Sequence, residues 1–581
     1  MTQERYLAFV PAQPAACAAF ARAFAVHACE HGFDFIERPW IIALVTGTSL
    51  MVRSSEKEGL IVGDVVRRDE RQPLSAFAAH EAVSIAETAG ETLADRFWGS
   101  HVGFFGGGGR TIVRRSPFGN LACYCAIIPA GTLLASDPLL LRDPGGLDLR
   151  PDWDALARQL VAPAIRRTQT CLGRLRELGC GNLLDPTRGQ RATAFWTPWA
   201  HVQPKAWSAD PETAADHLRR VIGDAVAAQS ARYEKTVLLL SGGLDSSLVA
   251  AALAQAGRAS AALNMVTHAT GGDERLHARR VADHCGFALT ERVREAGHVD
   301  ITRTLCADQP YPIEKSFAQA TLAAATGLAD QTGASAILDG GGGDNIFCSL
   351  QSAAPLVDLL RRHGPGRRFF LLMNDLATTT QASHGAILRQ AARRLIRPVR
   401  YRWSGDLTFL SAAAAHHAAD AVAHPWLEAP AGAAQGKAGH VGLLLAALGL
   451  VQSPSATARL PSRSILLAQP IVEACLAIPT WLWYERGRNR AVARRAFAPL
   501  LPQATAWRPS KGAMDSFIVE IFEANRPRIR EMLADGDLAR QGLIDRDAVL
   551  AAIDAPGPVR GRAYGRIMQF VDVEAWLMAW R

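Results

Sequence analysis

The run Ser241-Gly242-Gly243-Leu244-Asp245-Ser246-Ser247 gathers residue types suited to holding an anion. It follows an apolar stretch, Val237-Leu238-Leu239-Leu240, read as a strand. It opens a helical segment, Leu248-Val249-Ala250-Ala251-Ala252-Leu253, that closes at Gly257. A strand, a glycine-rich turn and a helix N-terminus bring free backbone N–H groups and the positive end of a helix dipole to one spot. The glycines let the backbone approach a phosphate closely. Ser241, Ser246 and Ser247 add hydroxyl donors, and Asp245 can hold a magnesium ion. No Lys-Ser/Thr closes the run, which separates it from the other common phosphate loop. The plainer reading is a Gly-Ser turn in an α/β sheet; the flanking strand and helix favour the anion site.

A second run, Asp339-Gly340-Gly341-Gly342-Gly343-Asp344-Asn345-Ile346-Phe347, follows the apolar strand Ala334-Ser335-Ala336-Ile337-Leu338. Consecutive glycines at a strand's carboxyl end imply close backbone approach to a ligand. Asp344, paired with Asp245, could hold magnesium against a leaving pyrophosphate.

The elements that must position these runs alternate. After the first loop come a strand, Ala261 to Val266, a helix from near Asp273 to Gly286, and a helix near Phe317 to Gln331 with Gly333 past its end. Such alternation predicts a doubly wound parallel sheet, with ligands beyond the carboxyl ends of its strands. The remaining C-terminal part reads as largely helical. Residues 1–205 differ, with short strand-like runs: Tyr6 to Val10, Gly59 to Gly63, His101 to Phe105, Thr111 to Val113 and Leu121 to Ile128. Gly106 to Gly109 reads as a hairpin turn, with a phosphate loop as the alternative. Helices are expected near Trp153 to Val161 and Ala164 to Leu178. The aromatic stretch Phe195-Trp196-Thr197-Pro198-Trp199 reads as the exit from this part.

A length of 581 residues suits two or three domains with sizeable cores. The net charge of +8 permits anionic ligands without calling for nucleic acid. Ten cysteines are scattered, with Cys123-x-Cys125 the one close pair, so neither zinc spacing nor a secreted disulfide framework is present. Met1-Thr2-Gln3-Glu4-Arg5 leads into no secretory apolar stretch, and the apolar run from Val441 to Val451 is too short to span a bilayer. A cytoplasmic enzyme with reduced thiols and no membrane span is expected.

The first loop resembles the SGGxDS pyrophosphate loop of the ATP pyrophosphatase superfamily, whose members cut ATP between its α and β phosphates. The order of SGGLDSS, the glycine run ending at Asp344, and Arg463 to Glu473, Gly487 to Phe497 and Trp507-Arg508-Pro509-Ser510-Lys511-Gly512 is similar to the asparagine synthetase superfamily. That resemblance implies an N-terminal glutaminase-like (Ntn-type) α+β sandwich over 1–205 and an ATP-dependent synthetase domain over 206–581. It implies adenine against Leu240, Met265 and Gly340, with Asp339 beside it. The triphosphate would lie on Ser241, Gly242, Gly243, Asp245, Ser246 and Ser247, with Mg2+ between Asp245 and Asp344. Arg490 and Lys511 would act on the phosphates and the reacting carbonyl. ATP and Mg2+ are the implied cofactors.

Departures from the family narrow the reading. Position two holds Thr2 where a glutaminase has its nucleophilic cysteine, and Ile61-Val62-Gly63-Asp64 stands near where its Asn-Gly-Glu element would fall. Gly341 replaces the glutamate of the asparagine synthetase loop. The nitrogen then has to come from the substrate, and the glutaminase half is degenerate. Phe97-Trp98-Gly99, Ala135-Ser136-Asp137, Leu466 to Pro470 and Ser510-Lys511-Gly512 are most similar to the lasso peptide macrolactam synthetases. The implied substrate is a ribosomally made core peptide whose N-terminal amine is joined to an Asp or Glu side chain. The implied partners are a leader peptidase and a leader-binding protein. An asparagine synthetase-like or β-lactam synthetase-like ligase on a small substrate is the alternative, and a silent scaffold a further one. Arg361 to Arg402, rich in arginine, reads as a docking face or a solvated helix face. His440, near Lys437, and His424 read as cavity-lining or structural.

Overall fold

The computed structural model describes residues 4–13, 17–189, 191–268, 273–313, 315–451, 457–508, 515–557, 561 and 563–581. The N-terminal part stacks two six-stranded antiparallel sheets. In one, the order is Arg176–Glu177, Tyr124–Ile128, Gly131–Ala135, Arg5–Pro11, Ile41–Thr46, Asp34–Arg38. In the other it is Thr193–Ala194, Asn182–Leu184, Arg110–Arg115, His101–Gly107, Glu58–Gly63, Ser49–Arg53. Side chains alternate across a strand. Tyr6, Ala8 and Val10 therefore meet Leu60, Val62 and Phe104 between the sheets, while Leu7 and Phe9 turn outward onto Phe24 of the helix Cys17–His31. The second sheet's outer face, with Leu50, Ile61 and Phe105, packs on Ile85 and Ala86 of the helix Ala79–Glu87. This is the expected α+β sandwich. The hairpin turn also stands, since Gly107 pairs with Arg110 and leaves Gly108 and Gly109 at the tip.

One expected helix is absent. Residues 164–178 form a loop and the short strand Arg176–Glu177, which pairs with Tyr124 and Cys125. The Thr170 hydroxyl bonds the carbonyls of Leu172 and Leu175 at 3.0 and 2.9 Å. Glu177 is held by Arg115 and Arg166 at 2.7 and 3.1 Å. Local side-chain bonds and a sheet edge outweigh helix propensity here.

The second part is built on a five-stranded sheet, Ala288–Val293, Ala259–Val266, Lys235–Leu239, Ala336–Asp339, Ser462–Ser464, parallel throughout. Val237, Leu263 and Ile337 face Ala325 and Leu328 of the helix Ala318–Thr332. Leu238, Ala262 and Leu338 face the other way, into the core that holds Leu248 and Leu253 of the helix Leu244–Gln255. Burial on both faces explains the continuous apolar runs of these strands. Chain order across the sheet reads third, second, first, fourth, fifth. The direction of winding therefore reverses between Lys235–Leu239 and Ala336–Asp339, which opens a crevice at their carboxyl ends. Both glycine-rich runs leave from those two ends. The helix Gln435–Val451 runs beside them, and no helix of the described residues is long and apolar enough to cross a membrane.

Two polar seams join the parts. Glu473 takes Arg68 at 2.8 Å and the Trp196 indole N–H at 3.0 Å. Asp64 meets Arg232 and Arg463 at 2.6 and 3.3 Å.

Candidate active site

Leu240 follows the strand Lys235–Leu239 and is buried. Its carbonyl accepts from the Asn264 amide at 2.8 Å, one residue before Met265 on the neighbouring strand. Gly242 then turns with φ +72°, a conformation that favours glycine. Within the loop, the Ser241 and Ser246 hydroxyls lie 3.1 Å apart, and the Ser247 hydroxyl donates to the Gly243 carbonyl at 2.7 Å. The helix Leu244–Gln255 starts here, with Asp245 in its first turn.

The second loop folds directly against the first. A Cβ on Gly343 would lie 2.4 Å from Asp245 Cγ, so only glycine permits this approach. The Asp339 carboxylate accepts from Gly341 N–H at 2.6 Å, and burial raises its pKa against the pull of that bond and of the Ser464 hydroxyl. Arg490, in the left-handed region at φ +56°, precedes the helix Ala491–Phe497. Its Nη1 lies 2.9 and 3.0 Å from the two Asp245 oxygens and 2.6 Å from Asp344 Oδ1. One arginine thus joins the two carboxylates that the sequence singled out. Asp245 and Arg490 are buried, whereas the Asp344 side chain is half exposed.

A cavity of about 320 Å³ opens beside Gly243 and is lined by Arg488, Arg490, Arg494 and Arg508, with Thr378 opposite. Burial, and Arg490 nearby, take the Arg494 pKa down to about 10. Arg508 pairs with Glu274 at 2.9 Å. The crevice therefore presents oriented N–H groups, hydroxyls and several guanidinium groups, an arrangement suited to a polyphosphate.

A family model, asparagine synthase, matches residues 217–580, well over half of the chain and all of this crevice. The chain belongs to the asparagine synthase family. It is accordingly an ATP-dependent ligase that forms carbon–nitrogen bonds. Two solved structures are also similar. Glutamine phosphoribosylpyrophosphate amidotransferase from B. subtilis, complexed with ADP and GMP, is 10% identical, covers 52% of this chain and 83% of that one, and has a TM-score of 0.23. The allosteric regulatory enzyme of purine biosynthesis is 9% identical over 50% and 80%, with a TM-score of 0.21. Likenesses this weak say nothing of the activity here. No curated protein matches the chain.

In this family member the residues present fit ATP and a divalent ion. Two carboxylates are few for an all-protein cage, and no group of three or more His, Cys, Asp or Glu comes together among the described residues. They suit magnesium, which keeps waters and substrate phosphates as its other ligands. Of the residues singled out from sequence, the contacts above bring together Ser241 to Ser247, Asp339, Gly340, Asp344 and Arg490. Leu240 is tied to Asn264, Met265 packs with Val237, Leu263 and Ile337, and Lys511, with Ser510 and Gly512, lies outside the described residues. Ser464, Arg488, Arg494 and Arg508 fall in the third matching stretch, whose further arginines the sequence leaves as surface or phosphate-steering groups, whereas Glu274 is not singled out there. For the arginines, the density of basic residues in that stretch was the available signal. His440 is structural: it is fully buried, its Nε2 lies 2.7 Å from the Ile346 carbonyl, and burial takes its pKa to about 3. Lys437 is likewise buried, with its ammonium on the Leu476 and Ile478 carbonyls.

Proposed function

We propose that this enzyme closes a macrolactam ring on a ribosomally made peptide, forming AMP. The observation that carries the reading is an intact nucleotide crevice joined to a sandwich whose Cys123, Cys125 and Cys171 are buried. Burial pushes Cys123 and Cys125 up to about 11 and 12 and raises Cys171 as well, the reverse of what a nucleophile needs. A sandwich that releases no ammonia leaves the amine to the substrate. Residues 1–205 are then a degenerate glutaminase-like domain and 206–581 the synthetase domain.

In the first step a peptide Asp or Glu carboxylate oxygen attacks the α-phosphorus of ATP, and the bond to the β-phosphate oxygen breaks. Adenine would rest against Leu240, Met265 and Gly340, with Asp339 fixing the loop. Backbone N–H groups of Gly242 and Gly243 and the hydroxyls of Ser241, Ser246 and Ser247 would hold the phosphates. Asp245 and Asp344 would hold Mg2+, whose charge offsets that gathering on pyrophosphate. Arg490 and Lys511 supply fixed positive charge, Lys511 also toward the oxyanion of the second step. There the peptide's N-terminal amine attacks the acyl carbon, loses a proton, and AMP departs. Holding amine and acyl carbon in one chain supplies effective molarity.

The test is incubation with ATP, Mg2+ and synthetic linear peptides that carry a free N-terminal amine and an internal glutamate. The expected products are a peptide lighter by one water and equimolar AMP and pyrophosphate. AMP formed with aspartate and ammonium, and with no peptide, would replace this reading by the small-substrate one.

A further inference from the structure

Between the two parts lies a cavity of about 1420 Å³ that the nucleotide chemistry does not use. Small-molecule pockets usually fall in the range of roughly 300–1,000 Å³, so this one suits a longer ligand. Trp199, Trp426, Leu445 and Leu448 give it an apolar wall, and the Trp199 indole N–H is fixed on the Trp426 carbonyl at 3.0 Å. Arg166, Arg167, Arg176 and Arg191 also line it, against a single carboxylate, Glu177. Glu177 is already engaged by Arg115 and Arg166. The cavity therefore carries net positive charge beside an aromatic and aliphatic surface.

Its rim includes Thr193 and Ala194, the strand at the edge of the second antiparallel sheet, and both residues are exposed. An edge strand offers main-chain N–H and C=O groups to a further strand, and extended peptides are commonly bound in this way. The opposite wall is the helix Gln435–Val451, through Leu445 and Leu448. That same helix accepts, at the Leu443 carbonyl, the side-chain amide of Asn345 at 2.8 Å; Asn345 is the residue after Asp344. A helix with its side chains is about 10–12 Å across. Three or four extended residues, at roughly 3.3 Å each, cover that distance.

We propose that this cavity seats an extended, carboxylate-bearing segment of the peptide substrate as an added strand on Thr193–Ala194, while its reacting part reaches round the helix to the nucleotide crevice. The proposal rests on the peptide reading above and names the site that reading lacks.

Two measurements test it. Fluorescence anisotropy would use a labelled synthetic peptide with a free amine, an internal glutamate and a tail of acidic residues; a matched peptide has lysines in the tail. The variants are R176E/R191E, which reverses charge on the rim, and Ala194→Pro, which removes one edge N–H. Wild type should bind the acidic-tailed peptide at least tenfold more tightly than the lysine-tailed one. R176E/R191E should invert that preference, and Ala194→Pro should weaken both peptides. In turnover assays the double variant should raise the peptide KM tenfold or more and leave the KM for ATP unchanged. Inverted preference is a result that mere loss of structure cannot give. Equal binding of both peptides by wild type, or an unchanged preference in R176E/R191E, overturns the proposal. If wild type binds the acidic tail with this dependence but closes no ring on any peptide, the cavity stands and the macrolactam reading fails.

Discussion

Asp245 and Asp344 share one guanidinium but sit in different surroundings, and their substitutions should separate stability from chemistry. Asp245 and Arg490 are buried, so cutting Arg490 takes from the buried Asp245 carboxylate the guanidinium that neutralises it. Such breaks cost about 3–5 kcal/mol. Arg490→Ala should therefore lower the melting temperature as well as abolish AMP formation. The Asp344 side chain is half exposed, and the value of an exposed ion pair is about 0–1 kcal/mol. Asp344→Asn should melt within a degree or two of wild type and yet lose ATP–pyrophosphate exchange a hundredfold or more. Part of that loss should return at high Mg2+. Exchange at the wild-type rate in Asp344→Asn would remove this residue from the metal role.

At the scale of elements, the three-residue edge strand Ser462–Ser464 depends on the sandwich. Its Ser462 carbonyl accepts from Asn120 at 2.9 Å, Arg463 reaches Asp64 at 3.3 Å and Tyr233 at 2.9 Å, and the Ser464 hydroxyl bonds Asp339. The N-terminal half thereby holds the strand that registers the four-glycine loop. Asn120→Ala should cost about 1 kcal/mol, the value of one hydrogen bond. Arg463→Ala should cost about 3 kcal/mol by leaving Asp64 and Glu4 with less countercharge. Both should raise the KM for ATP, and an unchanged KM in Arg463→Ala would show that the strand needs no such support. None of these contacts could be read from the sequence, because each joins residues more than a hundred positions apart. The two glycine-rich loops could be read, since strand, glycine turn and helix start are consecutive there. So could the Gly108–Gly109 hairpin and the glycine stops at Gly286 and Gly333. The helix expected at Ala164 to Leu178 failed because its fate is decided by Glu177 and the sheet edge. Arg494 and Arg508 could not be told from their neighbours because one basic side chain in an arginine-rich stretch looks like the next until packing selects among them.

Across the whole molecule, buried groups of opposite kind should partly offset each other in the dependence of stability on pH. His101, His424 and His440 are buried neutral, and burial lowers their pKa values to about 4, 4 and 3 from 6.5. Below pH 6.5 the unfolded chain takes protons that the folded one refuses. Their stabilisation is thus complete above that pH and is lost as pH falls. Asp64 and Asp358 do the opposite. Burial, helped at Asp64 by Glu4 nearby, raises both to about 6 from 3.8, so the folded state holds protons that the unfolded chain has released. Their stabilisation is complete below pH 3.8 and is lost as pH rises through 6. Between pH 4 and 6 the two sets pull against each other, each fully shifted group contributing about 1.4 kcal/mol per pH unit. From pH 7 to 5 the three histidines outweigh the two aspartates, so the wild-type unfolding free energy should fall over that interval, by about 3 kcal/mol from these groups, and removing one member should change the slope. His440→Gln, which can still donate to the Ile346 carbonyl, should gain stability relative to wild type as pH is lowered. Asp358→Asn, which can still accept from Thr480 and Gly436, should lose it over the same range. Denaturant unfolding at half-unit steps of pH reads both slopes. Curves parallel to wild type in either variant would mean that the group is not shifted as its burial requires, and that the compensation between the two sets does not operate.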